Sequence, residues 1–356
     1  MASNTNLSVI LQKPGEIVIE NRPIPEIGPY DALVNVKVTG ICGSDVHYWT
    51  KGRIGSFVVE KPMVLGHESA GVVAAVGDKV THLKVGDRVA LEPGVPCRVC
   101  DQCKHGRYNL CPEMIFAATP PYDGTLCNYY RHAADFCFKL PENVSLEEGA
   151  LIEPLSVGVH AVRRGKVQAG DRVAIFGAGA VGLLAAAAAK AAGAGHVTIA
   201  DIVASRLDFA KTYCTDSQVL LEKTDPNEPN IDYSKRMANK ILESHELADV
   251  VIDCSGAETS VQTAIYITRN GGSVVLVGMG APVQSIPVSE IGIREVDIKG
   301  VFRYCNTYPR AVKMIASGTI DVKPLITHSY KLEESVEAFK HVKEGRDGTI
   351  KVQIHG

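Results

Sequence analysis

The sequence has no marked excess of either charge: 37 Lys+Arg stand against 40 Asp+Glu, a formal net charge of -3. That balance excludes the generic electrostatic pull of a nucleic-acid or anionic-membrane binder. A long apolar run is also missing. The one long uncharged stretch, Val173 to Ala189, is broken by Gly177, Gly179 and Gly182 and is mostly alanine after them. A membrane span needs roughly 20 strongly apolar residues, so this stretch reads as strand, turn and helix. The first residues, MASNTNLSVILQKPGE, lack the basic region and apolar core of a secretory signal. A soluble, cytoplasmic protein is the expectation. No internal repeat or low-complexity segment is visible, and 46% hydrophobic with 22% charged residues argues against general disorder. At 356 residues the chain is too long for one small core and predicts two domains.

Cysteine, in contrast, is plentiful, with ten residues. In a chain of this size without a secretory signal, metal binding explains them better than disulfides. Cys97, Cys100, Cys103 and Cys111 fall within fifteen residues, in GVPCRVCDQCKHGRYNLCP, and the others are scattered singly. Four thiolates at that spacing close a tetrahedral shell around Zn2+ and leave no open position, so the site should be structural. An iron–sulfur cluster or four unrelated thiols are the rival readings.

A second constellation is dispersed. Cys42 lies in GICGSDVHYW, and His67-Glu68 lies in GHESAGVVAAVGDKV. Such a set of sulfur, nitrogen and oxygen donors, with water in the remaining position, is what a catalytic zinc needs. A cysteine and a histidine 25 residues apart are equally at home in an ordinary core. Asp45 and Asp87 are candidate acceptors behind the ligands.

The third signal is Gly177-x-Gly179-x-x-Gly182, after the strand-like RVAIF and opening an alanine-rich helix. These glycines allow a tight turn, close approach of a pyrophosphate and close helix–strand packing. Asp201 follows nineteen residues after Gly182, at the end of HVTIAD. A carboxylate there bonds the adenosine ribose and repels a 2'-phosphate, favouring NAD over NADP. Arg206 is the complication, because an arginine can hold that phosphate or pack on the adenine.

The first part of the chain, to about residue 155, reads as strands and turns, with Val34, Val36 and Val38 alternating with polar neighbours. From about residue 170, DRVAIF, HVTIAD, ADVVIDCSG and GGSVVLVG alternate with helical segments, the pattern of a parallel sheet with crossover helices. Two more helix-like stretches and a last strand, TIKVQI, form a tail whose domain periodicity leaves open.

Together these residues resemble the zinc-dependent medium-chain dehydrogenases. Their GHE-x2-G-x5-G-x2-V signature is matched by Gly66, His67, Glu68, Gly71, Gly77 and Val80. Within the family, GICGSDVHYW, EPGVPC, LIEPLSVGVHA and REVDIKGVFRYCNTYP look like the polyol branch of sorbitol, xylitol and arabinitol dehydrogenases. The likeness runs almost end to end.

The resemblance implies an α/β protein: a GroES-like β-rich catalytic domain at 1–155 and 297–356, and a doubly wound Rossmann NAD-binding domain at 156–296. It implies a catalytic zinc on Cys42, His67 and Glu68, with Glu153 reached through a water and standing where ordinary alcohol dehydrogenases carry a second thiolate. Tyr48, Glu153, Arg303 and Tyr304 match substrate positions. Val181, Asp201, Arg206, Val277, Gly278, Met279, Val301, Phe302 and Arg303 match cofactor positions. Ser44 and His47 resemble a proton relay, with Glu153 an equal candidate as base.

Mammalian sorbitol dehydrogenases lack the full cysteine set of the lobe, so this chain resembles the two-zinc members. The implied activity is reversible oxidation of a sugar alcohol to the ketose with hydride transfer to NAD+, in a homotetramer with a small-molecule substrate. Threonine dehydrogenase, another secondary-alcohol dehydrogenase, or a crystallin-like relative without turnover are the rival readings.

Overall fold

The computed structural model describes residues 5–346 and 348–356, which form two compact units. One comprises Met1–Glu153 and Tyr308–Gly356, the other Pro154–Thr307.

The first unit is built on a seven-stranded sheet whose main path runs Cys137–Lys139, Arg88–Leu91, Glu68–Val76, Asp31–Gly40, Lys351–His355 and Ile326–Lys331. Its seventh strand, Tyr129–Ala133, pairs with Asp31–Gly40. Asp31–Gly40 alternates between half-buried and buried positions along most of its length, as the valine pattern predicts. Two buried clusters form the core, one around Val9, Leu65, Leu126 and Phe339, the other around Val34, Val73, Val89 and Leu91. The tail contributes its final strand, which pairs antiparallel with Val38, Thr39 and Gly40. Residues 40–42 and 351–354 are thereby neighbours in space.

The second unit carries a six-stranded, wholly parallel sheet. Its strands run Ser217–Leu220, His196–Asp201, Arg172–Phe176, Ala248–Asp253, Thr268–Leu276 and Asp297–Gly300. The order reverses direction between Arg172–Phe176 and Ala248–Asp253, and ligands of doubly wound sheets bind beyond the carboxyl ends at such a point. The helix Ala180–Ala191 is buried from Gly182 to Ala189, so it needs small apolar residues all round rather than a single apolar stripe. Gly158, in the helix Ile152–Gly165, meets it closely: a Cβ there would lie 2.9 Å from the Leu184 backbone.

The boundaries differ from the expected ones. The units part after Glu153 rather than 155, and after Thr307 rather than before 297. Asp297–Gly300 is the edge strand of the parallel sheet, in register with Ser273–Leu276, so its hydrogen bonds hold it there. A four-residue strand announces its partner through no local pattern. Ser217–Leu220, the opposite edge, was likewise not legible as a strand. Among the described residues, no helix is long and apolar enough to cross a membrane.

Candidate metal centres and cofactor site

In the first unit, Cys42 caps the helix Gly43–Lys51, and His67 and Glu68 follow the left-handed turn at Gly66, whose φ is 89°. A side chain at Gly66 would strike Leu126 and Thr39 as well as strain the backbone. One donor atom from each of Cys42, His67 and Glu68 lies within 4.8 Å of the others. Cys42 is half-buried and the other two are buried, so the cluster keeps one accessible side.

Asp45 ties the two loops together. Its carboxylate accepts the Cys42 N–H at 3.3 Å and the Gly66 N–H at 3.0 Å, and lies 3.6 Å from His67 Nδ1. That buried nitrogen has no hydrogen bond of its own in this structure. Burial alone would lower the basicity of His67, but Asp45 and Cys42 raise its pKa well above the ordinary value. Anionic surroundings that favour positive charge at the ring also suit a dication, with release of that proton. The donor set and the electrostatics therefore fit zinc. Asp87 plays no such part: it bonds Lys139 at 2.8 Å and the Lys84 N–H at 2.9 Å in a surface turn.

Glu153 is buried and lies outside the 4.8 Å set. Its negative charge raises the proton affinity of both Lys351 and Glu92. Ser44 Oγ is 3.5 Å from His67 Nε2, His47 lies on the same helix, and Tyr48 is buried there. Burial and the Lys51 charge lower the His47 pKa, so its imidazole is neutral near pH 7.

Sequence reasoning missed two charged neighbours of this site. Lys351 reaches Glu68 from the final strand. Glu92 is a buried carboxyl whose pKa is pushed up to about 7, chiefly by burial and despite a 2.6 Å bond from the Tyr108 hydroxyl. EPGVPC was the only local signal for Glu92, and Lys351 had none.

The four-cysteine lobe is similarly assembled. The Cys97 N–H points at Cys111 Sγ and the Cys100 N–H at Cys97 Sγ, both at 3.3 Å, while Cys100 and Cys103 sulfurs are 3.5 Å apart. Backbone N–H groups of Val99 and Cys100 draw the Cys97 thiol down to about 7. Burial and the Cys100 thiol push Cys103 up to about 12, and burial raises Cys111. One sulfur is ready to ionise and two resist it unless a cation is present.

Metal binding must displace the protons of Cys103 and Cys111, so affinity should rise with pH and fall in acid. Chelator competition between pH 6 and 8 checks this, and an affinity independent of pH would refute it. Cys100→Ser should lower zinc from about two per chain to about one. A wild type with one zinc and four freely titratable lobe thiols would contradict that outcome.

In the second unit, the glycine turn follows Phe176 directly. Gly177 has φ 95°, and a Cβ on Gly182 would sit 1.8 Å from the Gly177 oxygen. Gly179 is different: a Cβ there meets nothing within 4 Å. The turn thus leaves an open cradle at the N-terminus of Ala180–Ala191, with Val181 in its first turn, which fits a pyrophosphate. Asp201 accepts the Ala178 N–H at 2.7 Å and the Val203 N–H at 2.9 Å, which fixes its carboxylate beside the turn. Arg206 Nη1 lies 4.0 Å from the same carboxylate.

Val277-Gly278-Met279 directly follows the strand Thr268–Leu276, and Val301-Phe302-Arg303 directly follows its edge neighbour Asp297–Gly300. Gly256 and Gly278 cross so closely that a Cβ on Gly278 would lie 2.2 Å from the Gly256 nitrogen. Arg303 has φ 52° and stacks over Phe302 at 4.7 Å, and Tyr304 is buried beside them.

Comparison with known proteins agrees with this geometry. Residues 28–142 match the alcohol dehydrogenase GroES-like domain, and residues 180–317 match the zinc-binding dehydrogenase domain. Sorbitol dehydrogenase of Mus musculus is 55% identical over 344 residues, covering 97% of this chain and 94% of that protein.

The chain belongs to the zinc-dependent medium-chain dehydrogenase family.

Solved structures of similar fold include L-idonate 5-dehydrogenase from Escherichia coli, at TM-score 0.88 and 29% identity, covering 99% of this chain and 98% of that one. An alcohol dehydrogenase from E. coli complexed with NADH has TM-score 0.90 and 26% identity, covering 99% and 100%. A GroES-like domain with a Rossmann sheet, zinc and a nicotinamide cofactor are what this family membership brings.

Proposed function

We propose that the chain oxidises a sugar alcohol such as sorbitol or xylitol reversibly to the ketose, using NAD+. The carrying observation is the Cys42–His67–Glu68 donor set, half open and backed by Asp45, in a chain 55% identical to a sorbitol dehydrogenase. Zinc bound there would supply Lewis acidity to a substrate hydroxyl, and NAD+ would supply the hydride acceptor.

The protein's own groups do the rest. Asp45 ties both ligand loops together and sets its negative charge behind the His67 ring. Glu153 takes up the hydroxyl proton, and neutral His47 with Ser44 forms the alternative exit. Tyr48, Arg303 and Tyr304 hydrogen-bond the substrate. The glycine cradle and Asp201 hold the dinucleotide, with Val181, Arg206, Val277, Gly278, Met279, Val301 and Phe302 lining its path.

An assay of NAD+ reduction across sorbitol, xylitol, ribitol, arabinitol and threonine, with zinc measured per chain, tests the reading. Turnover restricted to threonine, or none with any polyol, would overturn it. In the same assay NADP+ should be disfavoured by about 2–4 kcal/mol, a factor of tens to hundreds, because Asp201 meets the 2'-phosphate with like charge. Equal specificity constants for the two cofactors would mean that Arg206 outweighs Asp201.

We also propose a homotetramer in the cytoplasm. Exposed Val283, Val288 and Ile293 near the edge strand support association, and ten cysteines free of disulfides suit a reducing compartment.

A further inference from the structure

Lys351 is a lysine where lysines are rarely found. Its side chain is 5% exposed, and that of its partner Glu68 is 1% exposed. The ammonium donates to both carboxylate oxygens, at 2.9 and 2.7 Å, and to the Ile41 carbonyl at 3.2 Å. Gly40 makes the arrangement possible, since a Cβ there would lie 2.3 Å from Glu68 Oε2. The pairing of the final strand with Val38–Gly40 carries the lysine to this point, across 283 residues of sequence. A buried ammonium is costly unless matched by negative charge, and the anions facing this one are Glu68, Cys42 and Glu153.

We propose that Lys351 is a positioning residue for the metal centre: it holds Glu68 by both oxygens and offsets one of the negative charges gathered around the zinc. The proposal rests on the zinc reading of Cys42, His67 and Glu68. Three anions against one dication leave a net negative centre, and a net negative centre is a poor Lewis acid. The lysine removes one unit of that excess, to which the Asp45 carboxylate behind His67 adds a further negative charge. The same bonds compete with the metal for the Glu68 lone pairs, which keeps Glu68 a weak ligand and leaves room for a substrate hydroxyl. Lysine suits the task because it is a compact point charge with several donors, whereas a neutral group would hold the carboxylate without offsetting it.

The test uses the zinc-loaded enzyme and three variants. Lys351→Met removes the charge and the bonds, Lys351→Gln keeps a donor to Glu68 but no charge, and Lys351→Arg keeps the charge. In Lys351→Met and Lys351→Gln the catalytic zinc should leave for a chelator roughly 10-fold more slowly, while the lobe zinc leaves as before. The rise of kcat/KM with pH should move up by about one unit in both, because a more negative centre makes the hydroxyl less acidic. Lys351→Arg should restore both readouts.

Should Lys351→Met fail to fold, Lys351→Gln decides. Release rate and pH profile of Lys351→Gln within about twofold of wild type would overturn the charge role. Faster zinc loss in Lys351→Gln would overturn the competition for Glu68. If Cys42→Ser leaves the zinc content unchanged, the assignment of the metal site fails instead, independently of Lys351.

Discussion

Glu153→Gln is expected to lower kcat for polyol oxidation by roughly 10²–10⁴-fold, the usual worth of a positioned general base, while the catalytic zinc stays at least partly bound. The substitution keeps size and most hydrogen bonding but removes the charge and the basic site. Three donors, Cys42, His67 and Glu68, already converge without it, and Glu153 lies outside their 4.8 Å set. Metal retention should therefore depend little on Glu153, while proton uptake should depend on it heavily.

Its surroundings suit that division. Glu153 is buried, and its negative charge raises the proton affinity of both Lys351 and Glu92. Cys42→Ser is the matched control: it removes a soft anionic ligand and should lose the catalytic metal and the activity together. Zinc content and NADH formation, measured on both variants, separate the two roles. A Glu153→Gln enzyme within a few-fold of wild type would leave the proton to Ser44 and neutral His47.

Much of this was legible from local pattern, and what was not has a common cause. The four-cysteine lobe and the glycine turn are contiguous in sequence, so their spacing carries their geometry. Asp45 was also readable, since a carboxylate three residues after Cys42 falls in the first turn of the helix that Cys42 caps. Asp87 looked equivalent on proximity alone, yet it lies in the turn before Arg88–Leu91 and pairs with Lys139.

Lys351 escaped because its meaning is created by strand pairing between the two ends of the first unit. Asp297–Gly300 escaped for the same reason, its sheet being chosen by hydrogen bonds to Ser273–Leu276 and not by its own four residues. Glu92 gave no sign of its raised pKa, which comes from burial that only the assembled sheet produces. Local chemistry can be read from spacing; charge compensation across a fold cannot.

The glycine turn yields the second large effect, as a contrast between two alanines three residues apart. Gly182→Ala should cost at least about 2–3 kcal/mol, with Tm falling by roughly 5–10 °C. The added Cβ would lie 1.8 Å from the Gly177 oxygen, a backbone atom that cannot swing aside. Either the helix Ala180–Ala191 moves off the strand or the turn opens, and both destroy the cradle.

Gly179→Ala should fold almost normally. Its φ of -80° and ψ of -178° are extended backbone that alanine adopts freely, and its Cβ would meet nothing within 4 Å. The loss of an N-cap glycine should cost no more than about 0.5–1 kcal/mol. Yet the methyl group stands where the pyrophosphate must approach the helix N-terminus, so NADH affinity should drop at least about 10-fold, and more if the phosphates are displaced outright. Thermal unfolding and NADH fluorescence titration of both variants measure the pair. If Gly179→Ala binds NADH as tightly as wild type, the cradle at Gly179 is not where the phosphates lie. If Gly182→Ala keeps its Tm, the turn is softer than its contact with Gly177 implies.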